Sequence, residues 1–212
     1  MAALAGSATG PGLPVVVPLK DEFVPMTHVG VEGGGEMLLG SNARALGLGP
    51  STRLWADVQD TNQYRVQVGW GWTGHDLTDA SKLFRDEVLL EATDGYVSTH
   101  TVTAGMKVLP LAAEKRSSVR LIDPWFYTGG GISVAFAQVA WSGLPEPVAT
   151  RKGYIVIDGA AGLDIRPAKI ISFAPAVRVA VHPGLRRDLE TSKYKVEGQL
   201  AVQPSFGIAI HI

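Results

Sequence analysis

The sequence predicts an all-β protein: an antiparallel β-sandwich or a jelly-roll-like barrel of about ten short strands, with one short helix. Three observations carry this. Apolar and polar residues alternate with period two in several stretches, as half-buried strands require. Gly, Pro and Asp-Gly signals separate these stretches at short intervals. Helical periodicity is confined to one convincing place.

The C-terminal stretch shows the pattern most plainly. Tyr194, Val196, Leu200 and Val202 share one parity, and Lys193, Lys195, Glu197, Gln199 and Gln203 the other. After Gln203-Pro204-Ser205, the residues Phe206, Ile208, Ile210 and Ile212 alternate with Gly207, Ala209 and His211. Two strands are expected here, split at the proline.

Taken in order, Met1 to Pro14 is small and Gly/Pro-rich, and reads as an extended N-terminal arm over residues 1–14. Residues 15–212 read as a single β-sandwich domain. Val15 to Val17 lies between prolines, which suits an edge segment. Gly33-Gly34-Gly35 is expected to be a loop, and Ser41 to Leu46 one helical turn. Arg53 to Gln59 is a strand. Tyr64, Val66, Val68, Trp70 and Trp72 then form the apolar face of another, opposite Arg65, Gln67, Gly69 and Gly71. Leu77 to Glu87 is the helix, with Leu77, Ala80, Leu83 and Phe84 on one face. Asp94-Gly95 marks a hairpin turn. Further strands are expected at Met106 to Leu111, Ser118 to Ile122, Ile132 to Trp141, Tyr154 to Ile157, Lys169 to Phe173 and Ala176 to Val181. Gly129-Gly130-Gly131, Pro145-Glu146-Pro147, Asp158-Gly159 and Pro175 separate them.

Composition excludes several classes. The chain has no cysteine, so disulfides, thiol catalysis and cysteine-ligated metals are out. Its 19 basic and 20 acidic residues leave a net charge of −1, so strong nucleic-acid binding is not expected. No window approaches the roughly 20 apolar residues of a helical membrane span. A water-soluble protein is expected. Only 18% of residues are charged, which fits a surface covered by partners.

Motifs for chemistry are weak. Gly69-Trp70-Gly71-Trp72-Thr73-Gly74 matches the glycine pattern of a dinucleotide-binding turn, with Glu91 as the ribose-binding acid. Tryptophans at two variable positions crowd that turn, and the alternating helices of a parallel sheet are missing. His28, His75, His100, His182 and His211 show no metal-ligand spacing. No catalytic residue, cofactor or metal is assigned.

The aromatic residues Trp55, Trp70, Trp72, Trp125, Phe126 and Tyr127 are the candidate interface or ligand contacts. They suit core packing or a subunit contact, and alternatively a sugar-stacking platform.

The functional expectation is a non-enzymatic structural subunit of a virus or phage particle, a jelly-roll capsid or decoration protein. Its partners would be copies of itself and other virion proteins, and its location the virion. The alternatives are an extracellular carbohydrate-binding module using exposed tryptophans, with glycan contact, and a nucleotide-dependent enzyme using Gly69 to Gly74.

Overall fold

The structure, a computed structural model, describes residues 27–39, 46–59, 63–76, 92–111, 122–141, 145–168, 170–182 and 199–212. Among these residues eight strands follow one another: β1 (Thr27–Leu39), β2 (Gly49–Gln59), β3 (Tyr64–Asp76), β4 (Ala92–Val108), β5 (Ile122–Trp141), β6 (Val148–Ala168), β7 (Ile171–His182) and β8 (Gln199–His211). Each pairs antiparallel with its sequence neighbours, and β8 pairs with β1 to close a barrel. The expected sandwich or jelly roll of ten short strands is therefore corrected to an up-and-down barrel of eight longer ones.

The register sets the shape. Val29 pairs with Ala56, and the chain of partners continues through Val68, Ala104, Gly130, Ile157, Val181 and Leu200 to Leu39. The circuit returns to β1 ten residues further along, at 39 against 29. A shear of that size over eight strands tilts them by roughly 40° and leaves an interior that side chains can fill.

Most of the expected breaks lie inside strands. Gly33 to Gly35 belongs to β1, Asp94-Gly95 to β4, Gly129 to Gly131 to β5, Asp158-Gly159 to β6, Pro175 to β7 and Pro204 to β8. At Asp94 the strand bulges against β5 and is not a hairpin turn. Pro145 to Pro147 does separate two strands. The arm, the Val15 segment, the helix at Leu77 to Glu87, nearly all of the turn at Ser41 and the run from Lys193 to Gly198 lie outside the described residues.

Several of the internal glycines have a packing role. Trp55 on β2 lies against Gly30 of β1, and Trp125 on β5 against Gly162 of β6. A Cβ at Gly162 would stand 2.6 Å from the Trp125 ring and 2.6 Å from the Pro175 carbonyl oxygen. Glycine there makes room for an indole inside the barrel. Gly162→Val is expected to cost about 1–3 kcal/mol through overpacking. A lowered unfolding midpoint, with loss of the near-ultraviolet dichroism of Trp125, checks this.

The faces are inverted relative to a water-soluble barrel. Among the described residues, twenty buried side chains are polar or charged against eleven apolar ones, and five of those eleven are alanine. The exposed set holds Val29, Val31, Leu54, Val66, Val68, Ile132, Ile155, Ile157, Val177, Ile208 and Ile210, with Ile155 65% exposed. The apolar parity of each strand faces out, and the parity carrying Arg65, Gln67, Glu32 and Lys107 faces in.

Candidate functional site

The inward parity fills the lumen with a layered polar network. The start of β1 and the end of β8, the termini of the barrel itself, share one end with the 60–63, 109–121 and 169–170 connections. Near it, Asp164 of β6 accepts hydrogen bonds from Lys107 Nζ on β4, at 3.2 Å to each carboxylate oxygen, and from Arg65 Nη1 on β3 at 3.2 Å. Arg166 stands 3.7 Å from the same carboxylate and 3.9 Å from Asp123. Beside them His28 Nδ1 donates to Asp57 Oδ1 at 2.5 Å, and the His211 ring meets His28 edge-on at 4.4 Å. The Lys107 ammonium lies 4.3 Å from the ring centre of Trp125 and 5.3 Å from that of Trp55, both cation–π contacts.

A second layer sits at mid-height. Asp158 of β6 accepts from Arg178 Nη1 of β7 at 2.7 Å and from Arg53 Nη1 of β2 at 3.3 Å. Strands β2 and β6 are four apart in a ring of eight, so the Arg53 pair crosses the full lumen. Glu32 of β1 stands 3.9 Å from Arg178, and Thr103 accepts from Arg53 Nη2 at 2.8 Å. Both guanidiniums flank the Tyr127 ring, at 5.7 and 5.1 Å from its centre.

The opposite end carries the 40–48, 77–91, 142–147 and 183–198 connections. Here His75 Nε2 donates to Glu36 Oε1 at 2.9 Å, its Nδ1 lies 2.9 Å from the Gly47 carbonyl oxygen, and Gln203 donates to Glu36. Leu38, Val156, Ala180 and Ala201, on the adjacent strands β1, β6, β7 and β8, form an apolar cluster on one side of the lumen. The lumen's cations, Arg53, Arg65, Lys107, Arg166 and Arg178, face the carboxylates Glu32, Glu36, Asp57, Asp123, Asp158 and Asp164. Near-balance and cross-lumen pairing satisfy charges whose burial alone would be prohibitive. Among the described residues, no group of His, Asp and Glu is arranged to hold a metal ion.

The outer wall is a second site. On β1 the outward residues from Val29 to Leu39 carry no charge. At the tilt above, they span about 24 Å of height, close to the ~25 Å apolar band of a membrane barrel. Outward aromatics stand toward both rims. Tyr64, Phe126 and Phe173 lie near the termini, and Trp72, Tyr96 and Phe136 near the other end. Beyond the band, β4, β5 and β6 continue as a wall whose outward face turns polar at Asp94, Ser98, Gln138 and Arg151.

The barrel divides the candidate aromatics into two sets. Trp55, Trp125 and Tyr127 are buried in the lumen, while Trp70, Trp72 and Phe126 share the outward face. They form no single platform. Gly69 to Gly74 lies within β3, hydrogen-bonded to β2 and β4 on its two sides, and Gly69 faces the Arg53 guanidinium. No phosphate-binding turn exists there, and the nucleotide reading falls. The lumen network was missed, although its signal was present: Arg65, Gln67, Asp158, Asp164 and Arg178 all sit on the polar parity of runs whose other face carries almost no charge.

No family model matches the chain, and no curated protein does. Solved structures do. The chain is similar to a major outer membrane protein from Thermus thermophilus, at 11% identity, covering 90% of this chain and 100% of that one, with a TM-score of 0.61. It is similar to Neisserial surface protein A, at 13% identity, covering 87% and 96%, with a TM-score of 0.54. It is also similar to the attachment invasion locus protein of Yersinia pestis, solved with the heparin analogue sucrose octasulfate, at 12% identity, covering 90% and 100%, with a TM-score of 0.53.

The fold is that of bacterial surface and outer-membrane barrels. This overturns the expected virion subunit, with its jelly roll and virion location, and equally the carbohydrate-binding sandwich. No helix of the described residues is long and apolar enough to cross a membrane, which says nothing of a β-barrel.

Proposed function

We propose that the chain is an integral β-barrel of a bacterial outer membrane, anchored by its outer belt and acting through the connections it presents at one end. The inversion of faces carries this reading: apolar side chains face out around the ring while charge fills the lumen. In lipid every backbone polar group needs an internal partner, and a closed barrel supplies one. The end opposite the termini carries most of the longer connections and the raised wall of β4 to β6, which suits a surface-exposed side. The bridged lumen does not suit a wide pore, and no catalytic role is assigned.

Refolding tests this directly. Diluted from denaturant into buffer alone, the chain is expected to aggregate. Diluted into phosphatidylcholine vesicles or micelles, it should gain β-type circular dichroism and a folded gel band that shifts on boiling. The folded protein should give no porin-sized conductance in a planar bilayer. A monodisperse, folded protein in detergent-free buffer would overturn the reading.

A further inference from the structure

The outward face of the eight strands is almost free of charge, and its exceptions are grouped. Among the described residues its basic groups are His100 on β4 and Arg151 on β6. Both touch one ring. Phe136, on the strand between them, meets the His100 ring edge-on at 5.6 Å, and the Arg151 guanidinium lies 5.3 Å from its centre. Trp70 of β3 closes the row on the far side of His100 at 5.7 Å.

The row climbs from the apolar belt, where Trp70 pairs with Leu54, to a boundary at Phe136 and Arg151. Toward the termini the same wall carries Val102 and Ile132, and Ile132 is 64% exposed. Away from them it carries Gln138 and Asp94. Arginine on a lipid-facing wall is costly at the bilayer midplane and nearly free at the interface. The rim therefore sets Arg151 at the depth of lipid headgroups. Its guanidinium offers a forked donor that matches a phosphate, and the aromatic ring beneath restricts its rotamers.

We propose that Trp70, His100, Phe136 and Arg151 form a binding site for a lipid with an anionic phosphate headgroup. Arg151 takes the phosphate, His100 adds a ring N–H donor, and the acyl chains lie along Val102 and Ile132. The proposal rests on the membrane reading above.

The test uses the full chain refolded into phosphatidylcholine vesicles containing a brominated-chain lipid, which quenches tryptophan on contact. Trp70 reports the site. Brominated phosphatidic acid is expected to be preferred over brominated phosphatidylcholine about fivefold, the worth of one basic side chain at an anionic surface. Arg151→Gln combined with His100→Asn should bring the two lipids to parity with the circular dichroism unchanged.

Equal quenching by both lipids in the unaltered protein overturns the proposal while leaving the membrane reading intact. So does a preference that survives in the double variant. Loss of the preference in millimolar inorganic phosphate would show that free phosphate, not lipid, is the ligand. Absence of quenching by either lipid would overturn the membrane reading itself.

Discussion

Leu54→Arg and Val177→Arg will each destabilise the folded barrel by about 2–4 kcal/mol in lipid vesicles, although both side chains are about half exposed. In a water-soluble protein, a surface substitution of this kind stays within about 0.5 kcal/mol. The difference comes from what surrounds the wall. Leu54 on β2 and Val177 on β7 stand near mid-height of the apolar belt, well away from either rim. An arginine there either loses its hydration or drags water and headgroups inward. Equilibrium unfolding by denaturant in vesicles measures the loss. An arginine at Gln138, above the belt on the β5 wall, is the control and should cost about 0–1 kcal/mol, because it reaches the aqueous interface. Equal, small effects at all three positions would mean that no hydrocarbon touches the wall.

The sequence shows the strands but not which way they face. Tyr64 to Trp72 has a clear period of two, yet periodicity measures the contrast between faces and carries no sign. Placing Val66, Val68, Trp70 and Trp72 inside follows from assuming that water surrounds the protein. The structure puts them outside, with Arg65 and Gln67 buried. A stronger signal was available from all eight runs together. The apolar parity is almost uncharged, while the opposite parity gathers Glu32, Arg53, Asp57, Arg65, Lys107, Asp158, Asp164 and Arg178.

A core built on the apolar parity would have left that charge in water and needed no balance. A lumen must balance it, and the near-equality of acids and bases is legible once the charges are assigned to one face. Strand lengths were misread for a related reason. Gly129 to Gly131, Pro175 and Pro204 are turn signals in a short-stranded sandwich. In this barrel, inward glycines make room for lumen aromatics, and the outward prolines cost one ladder donor each. The cross-lumen pairs themselves were out of reach. Arg53 and Asp158 lie 105 residues apart, and only the closure of β8 on β1 sets their strands opposite one another.

Asp164→Asn will be the most damaging single change in the lumen. The carboxylate is the shared acceptor for Lys107 and Arg65, with Arg166 close by. All of these side chains are buried or nearly so. The amide keeps the size of the group but removes its charge and turns an N–H₂ toward the cations. Removing one partner of a buried ion pair costs about 3–5 kcal/mol, because the remaining charge is left desolvated. Folding stability in detergent or vesicles, followed by the boiled and unboiled gel bands, measures the loss.

The double variant Lys107→Met with Asp164→Leu separates the cause from simple packing damage. It removes one charge of each sign together, so the lumen stays balanced, and the introduced thioether can still pack on Trp55 and Trp125. Its stability should recover part of what Asp164→Asn loses, since no lysine is left unpaired, while Arg65 and Arg166 keep only Asp57 and Asp123, each at 3.9 Å. A loss below about 1 kcal/mol in Asp164→Asn itself would put the pair in the range of solvated surface bridges. Water would then reach the layer near the termini, and the layer of Arg53, Arg178 and Asp158 around Tyr127 would be the barrier that keeps the barrel closed.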